Sequence, residues 1–405
     1  MKANVWKYYA FHLFLNLQLW FPIWIIYLTR ERGLTLAQVT IIDIPFWLCI
    51  ILLQIPGAAL ADRFGRKPVL VCSAGAFSLA IVFFGLATSF WLLLGSYLVW
   101  GIGFALLWGT ESAFIYDSLK ALGREDDYLR IYGRGWAVAT SAQVVGTLIG
   151  APLASATSLQ TPIIASGAIS AVAMLIAMTF VEPTAVDRTK TNPTYGRIIR
   201  ESARLVRTRP DVRYAICYFG LITIGSIGVV FFFQPFLENH NVAISAVGFW
   251  QTPMRLVGIV AALAAHRLMR DLGERRTFFL MPIMIIAGFA VLGMWDSVYA
   301  QIAFPLINFA LILSQPTVTA YLNRRVPSAQ RATVVSLTNL IRSFVLIPSA
   351  PLLGLLAEKV SYQAAYLAGG ALVAVLGLPL LIAWLPHLTG GGAISPSVEA
   401  IPAEP

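Results

Sequence analysis

Charge is scarce in this chain: of 405 residues, 29 are Lys or Arg and 19 are Asp or Glu, 12% together. An ordinary soluble domain carries roughly 25%. With 58% hydrophobic residues and a mean hydropathy of +0.76, a water-exposed globule is excluded. Cysteine is nearly absent as well. Cys49, Cys72 and Cys217 fall in or beside apolar segments, with neither metal-ligand spacing nor the pairing of a disulfide framework, so they read as packing residues. His12, His240, His266 and His387 are scattered. With no Ser/His/Asp constellation, phosphate loop or metal motif, neither an enzyme nor a metal or other cofactor is expected.

What the chain has in quantity is apolar runs. A hydrocarbon core about 30 Å thick needs roughly 20 apolar residues of helix, and runs of that length recur from Val5 to Leu385. Inside lipid a backbone must satisfy its own hydrogen bonds, as helices or as a closed barrel, and continuous runs without strict alternation select helices. An all-α membrane protein with twelve transmembrane helices is predicted, over 6–28, 36–60, 68–88, 91–119, 133–155, 162–181, 213–236, 244–266, 277–296, 299–321, 332–356 and 363–385. The first run is long enough to span and lacks a small-residue cleavage site after it, so it reads as a retained helix.

The net charge of +10 would suggest nucleic acid in a soluble protein. Here 24 of the 29 basic residues lie before or at the start of the first span and in or bordering the even-numbered connections, against Arg30, Arg32 and Lys359 in the odd ones. The positive-inside rule then places both termini, the loop 59–70 and the connection 184–212 in the cytoplasm, and no nucleic-acid partner is expected.

That long connection divides the spans six and six. The expected organisation is a bundle over 1–183, a basic linker over 184–212, a second bundle over 213–386 and a disordered tail over 387–405. In "YGRIIRESARLVRTR", Arg200, Arg204 and Arg207 share a face while Ile198, Leu205 and Val206 offer apolar contacts. This predicts an interfacial helix on anionic lipid, with a solvated basic linker as the alternative. The halves match at an offset of 208 residues: "IPFWL" (44–48) lies over "TPMRL" (252–256), Pro45 falls on Pro253, and Gly65 on Gly273. A six-helix repeat is the signature of a transporter with its site between the halves.

The loop "ADRFGRKPVL" between the second and third spans resembles the signature loop of the major facilitator superfamily, through Asp62, Arg63, Gly65, Arg66 and Lys67. The leading Gly of that pattern is Ala58 here, with Gly57 one residue early. "QIPGAALADRFGRK", "ESAFIYDSLKALGREDDYLRIYGR" and "RATVVSLTNL" extend the resemblance over nearly the whole chain, toward prokaryotic members related to drug antiporters. The resemblance implies two pseudo-symmetric six-helix bundles, alternating access, a monomer, and residence in a bacterial inner membrane. It also implies that Asp62 meets the start of the eleventh span near Ala332 and that Arg66 pairs with Asp117, a latch at the inner gate. The plainer alternative is that these charges only fix topology and hydrate a tight turn.

A charge at mid-bilayer costs about 2.5–3.5 kcal/mol on insertion scales, so each one is a functional hypothesis. Four qualify: Asp43, Glu111, Arg255 and Arg342. Glu111 is the preferred proton carrier, since burial favours a neutral carboxyl and a nearby cation the ionised one; Asp43 is second. Arg255 and Arg342 read as permanent counter-charges or anion-binding groups, with static salt bridges the plainer alternative for all four. Asn16, Gln18, Gln234, Gln251, Asn308, Gln315 and Asn339 can hydrogen-bond a substrate, and Trp20, Trp24, Trp108, Tyr116 and Phe232 can form apolar walls. "GTLIGAP" (146–152) has the small-residue spacing of a close helix contact and resembles, incompletely, the Gly/Pro motif of antiporters in this superfamily. The expected function is proton-coupled efflux of amphipathic small molecules. Uptake or exchange of an organic anion is the alternative within the fold, and a non-transporting receptor or scaffold the alternative outside it.

Overall fold

The computed structural model describes residues 1–183, 207–326 and 331–388, together with Arg204. The predicted interfacial helix over the linker and the predicted disordered tail lie mainly outside these residues.

Among the described residues the regular elements are helical, and eleven stretches are long and apolar enough to cross a membrane. They account for the second to the twelfth predicted spans. The second span is α3 (Leu36–Ile42) and α4 (Ile44–Phe64), opened by Thr35 and Gln38 in a reciprocal capping box. The third is α5 (Arg66–Leu86). The fourth is broken: α6 (Phe90–Leu107) ends, Trp108 is extended, Gly109 takes φ 86°, and α7 (Thr110–Lys120) begins. The fifth and sixth are α8 (Tyr128–Ala156) and α9 (Gln160–Met178).

The first span departs from the expected continuous helix over 6–28. Its opening helix, α1 (Lys2–Asn16), stops short; after turns at 17–23 the chain resumes as α2 (Trp24–Ile26) and a π turn, Tyr27–Glu31. Pro22 supplies no N–H and disfavours helical geometry at Phe21. A break inside a membrane survives only where protein satisfies the freed groups, and α9 does so. The Leu19 N–H donates to Ser166 Oγ at 2.8 Å, while the Gln18 side chain donates to Ser170 Oγ at 3.0 Å and to the Leu15 carbonyl at 2.6 Å. The glycines of "GTLIGAP" press on the same break: a Cβ at Gly146 would stand 2.8 Å from the Gln18 carbonyl oxygen, and one at Gly150 would collide with that of Leu19.

The seventh span is interrupted too, as α10 (Pro210–Ile222), α11 (Gly225–Ile227), a π turn Gly228–Phe232 and α12 (Phe233–Asn239). Interruptions at matching places in two repeats are a pointer to transporter binding sites. The rest are α13 (Ile244–Asp271), α14 (Gly273–Met294), α15 (Ala303–Arg325), α16 (Arg331–Lys359), and a twelfth span of α17 (Tyr362–Leu372), a π turn and α18 (Leu378–Leu388).

The chain forms two compact units. The first holds 1–183 with Asn241–Thr252, the second 207–240 with 253–388. The core of the first sits where α1, α5, α7 and α9 meet, around Phe11, Leu15, Phe77, Phe114 and Phe180, with a smaller cluster of Tyr8, Ile115, Leu119 and Ile131 beside it. The repeat is visible in the backbone: Gly65 and Gly273, 208 residues apart, both take positive φ, 101° and 76°.

Candidate functional site

At the loop end of the first unit, the turn from α4 into α5 passes through Gly65, whose φ of 101° suits a residue without a Cβ. The free N–H groups of Arg66 and Lys67 at the start of α5 donate to the two carboxylate oxygens of Glu182, each at 2.7 Å. Glu182 lies beyond the end of α9, so it caps α5 from a distant part of the chain; an anion is favoured at a helix N-terminus. Arg66 Nε donates to Asp117 Oδ2 at 2.6 Å, and Asp62 Oδ1 stands 4.0 Å from Arg66 Nη2. The Asn4 amide donates to Ser118 Oγ and to the Val181 carbonyl and accepts the Val181 N–H, tying α1 into the same end. Arg63 is exposed. The side chain of Ala332, expected opposite Asp62, lies outside the described residues.

The second unit has a counterpart with the signs exchanged. Position 66 maps onto Glu274 and position 117 onto Arg325, and Arg325 Nη2 lies 3.2 Å from Glu274 Oε2 while Arg324 Nη1 lies 3.6 Å from its Oε1. The Arg325 guanidinium also covers the Tyr321 ring at 3.7 Å, a cation–π contact.

Within the membrane part of the first unit, Glu111 occupies the first turn of α7, just past the Gly109 break, and is 8% exposed. Its neighbour from α1 is His12, 3% exposed, with Nε2 2.9 Å from Glu111 Oε2. The contact is an approach within ion-pair distance and not a hydrogen bond: both His12 ring nitrogens are buried with no hydrogen-bond partner among the described residues. The Tyr8 ring meets the imidazole edge-on at 4.4 Å, and Trp136 of α8 lies 6.3 Å away. Gly135 gives Tyr8 its place, because any Cβ there would strike the phenol ring. Sequence reasoning counted His12 among scattered histidines. The signal was the one applied to the carboxylates: a titratable group in the middle of an apolar span.

The other sequence candidates are dispersed. Asp43, half-buried between α3 and α4, accepts from Trp47 Nε1 at 2.7 Å. Asn16 donates to the His12 carbonyl at 2.9 Å and accepts from Gln143 at 3.1 Å, so it borders the His12–Glu111 pair. Gln18 is engaged at the break, where it also accepts from Trp20 Nε1 at 2.6 Å. Trp20 packs on Trp24, Phe84 and Trp100 around a small apolar hollow. Gln251 and Gln234 are buried, and Gln251 Oε1 has no partner among the described residues. Asn308 donates to the Met254 carbonyl at 2.7 Å. Arg255, Arg342 and Asn339 are half-buried on α13 and α16, and Gln315 is exposed on α15. Phe232 is fully buried, whereas Trp108 and Tyr116 are exposed. Among the described residues no group of three or more His, Cys, Asp or Glu could hold a metal ion.

Comparison with known proteins agrees with this architecture. The family model of the Major Facilitator Superfamily matches residues 9–350. A Na(+), Li(+), K(+)/H(+) antiporter of Planococcus maritimus is 32% identical over 147 residues, 35% of this chain and 33% of the relative. The match thus spans about a third of that relative's length. Among solved structures, the nucleoside transporter NupG superposes with a TM-score of 0.77 at 11% identity, covering 95% of this chain and 98% of that one. A bacterial homologue of the human lysosomal transporter Spinster, inward-facing and unoccupied, gives 0.68 at 19%, covering 95% and 92%. At such identities the structures speak for the fold. With the family model covering most of the chain, the protein belongs to the major facilitator superfamily and is a membrane transporter, not an enzyme.

Proposed function

We propose that this transporter is a proton-coupled antiporter that exports amphipathic small molecules, with Glu111 as the proton-coupling group. One observation carries the reading: a carboxyl buried within the membrane part of the fold stands against a second titratable group, His12. A buried carboxyl paired with a second titratable group, when it meets a cation in one state and none in another, changes the proton occupancy of the pair between them. The aromatic residues around α1 and α8 favour a substrate with an apolar body. The partial likeness to a Na(+), Li(+), K(+)/H(+) antiporter favours a second reading, in which the exported species is an alkali cation.

In this proposal the charge pattern of the loops sets the orientation, with both termini cytoplasmic in a bacterial inner membrane. Asp62, Arg66 and Asp117 form the gate latch at that side. The test is the collapse of a respiration-generated pH gradient in everted vesicles. Addition of ethidium or tetraphenylphosphonium should collapse it in the wild type and not in Glu111→Gln. Collapse by Na+, Li+ or K+ alone selects the second reading. Collapse by neither class, or an unchanged response in Glu111→Gln, sinks the proposal.

A further inference from the structure

We propose that the proton is given up by His12 and not by Glu111: a singly charged cation enters beside the Glu111 carboxylate, and the His12 imidazolium sheds one proton. This rests on the reading of Glu111 as the coupling site, and it adds a substrate charge class and a stoichiometry.

Three features of the pair support it. A buried carboxylate needs a cation within reach, because an isolated charge is costly away from water, and the imidazole 2.9 Å away can be that cation. Glu111 also sits in the first turn of α7, behind the Gly109 break, at the end of the helix where N–H groups lack intrahelical acceptors and an anion is well placed. In this proposal the proton of the pair is the imidazole's. Finally, both ring nitrogens are buried without a hydrogen-bond partner among the described residues, and it is Nε2 that lies 2.9 Å from Glu111 Oε2. An imidazolium there carries one N–H beside the carboxylate oxygen and one with no acceptor among the described residues. The second is the proton that leaves.

The exchange balances. Before it, imidazolium and carboxylate sum to zero. The Nδ1–H bond then breaks, its electron pair stays on nitrogen and the proton passes to water. The neutral imidazole keeps its Nε2–H toward Glu111, and the incoming cation restores the sum to zero beside the carboxylate. Among the described residues, the other ionisable side chains around the pair are the phenols of Tyr8, Tyr128 and Tyr132, with Tyr9 beside Tyr8. Phenols stay neutral over the physiological range. Exchange of one cation for one proton is then electroneutral.

The experiment uses purified full-length protein in weakly buffered detergent with a pH dye, titrated with tetraphenylphosphonium, Na+ or K+ alone. A parallel arm measures exchange in proteoliposomes with the membrane potential clamped. The wild type should release about one proton per cation bound, and its exchange should not respond to potential. His12→Gln keeps a donor toward Glu111 and has no proton to shed. It should bind tetraphenylphosphonium with little or no proton release, and its transport should become potential-driven. Wild-type exchange that follows the potential overturns the proposal, as does full proton release from His12→Gln or no cation-driven release from the wild type. If His12→Gln does not fold, the wild-type stoichiometry and potential response decide alone. Glu111→Gln separates the two readings: loss of both cation binding and proton release leaves the coupling site in place, whereas retention of both removes Glu111 and not merely the part given to His12.

Discussion

The loop ends of the two units carry the same ion pair with opposite polarity. In the second unit, Glu274 lies in the first turn of α14 and Arg324 and Arg325 in the last turn of α15. Both signs agree with the helix dipoles, so the pair is favourable before its partners meet. In the first unit the signs run against the dipoles: Arg66 opens α5, and Asp117 lies in the last turn of α7. Their placement is tolerated because Glu182 brings a carboxylate to the start of α5 and because Arg66 and Asp117 satisfy each other at 2.6 Å. One end is stable by local rules, and the other depends on a residue 116 positions away. Departures from local rules concentrate where function asks for them, which favours the first unit's end as the moving latch.

The sharpest way to break this contrast is Arg66→Glu, which sets a third carboxylate against Asp117 and Glu182. Transport should fall at least tenfold with membrane insertion retained, measured as uptake or extrusion per inserted protein. The double variant Arg66→Glu/Asp117→Arg restores a pair of the second unit's polarity but should recover only in part while Glu182 remains. Adding Glu182→Gln should recover more. Full rescue by the double variant alone would show that polarity is irrelevant.

Glu182→Gln by itself keeps one neutral acceptor and turns an amide NH2 toward the other backbone N–H, losing one charge-assisted bond and weakening the second, and should cost about 1–2 kcal/mol of stability. Glu274→Gln should cost less, about 1 kcal/mol or under, because Gln keeps an acceptor oxygen for Arg325 and the other partner, Arg324, is mostly exposed. Thermal unfolding of the two variants, compared in one detergent, checks the order.

Gly65→Ala and Gly273→Ala share the strain of a side chain at positive φ, about 1 kcal/mol. Gly65→Ala should be the worse, since its Cβ would stand 2.9 Å from Glu182 Oε1 whereas that at Gly273 meets nothing within 4 Å. Equal losses of melting temperature would contradict the crowding at Gly65. The smallest effect belongs to Arg324→Gln. That side chain is 60% exposed and 3.6 Å from Glu274, and its loss should cost less than about 0.5 kcal/mol in the same assay.

Much of the fold was legible along the chain. The spans, the loop motif and the repeat at 208 residues rest on properties that add up over neighbouring residues, and such sums survive folding. Glu111 was legible as a buried charge for the same reason. His12 was not, because its meaning depends on the rotation of α1 that brings it to α7. Glu182 carried no signal either: an acid just past the end of a helix is ordinary until the start of α5 is found beside it. The break at 17–23 had one sign, Pro22, but the partners that make it tolerable, Ser166, Ser170, Gly146 and Gly150, come from α8 and α9.

By itself the sequence determined that the chain lives in a membrane, how many times it crosses and which loop carries the family's signature, since lipid imposes a length and a hydropathy on every span separately. Tertiary structure decided which charges meet. Depth along the membrane can be counted in residues, whereas the facing of one helix toward another is set by close packing around small residues such as Gly135 and Gly150, and that packing turned His12 to Glu111 and Glu182 to the start of α5.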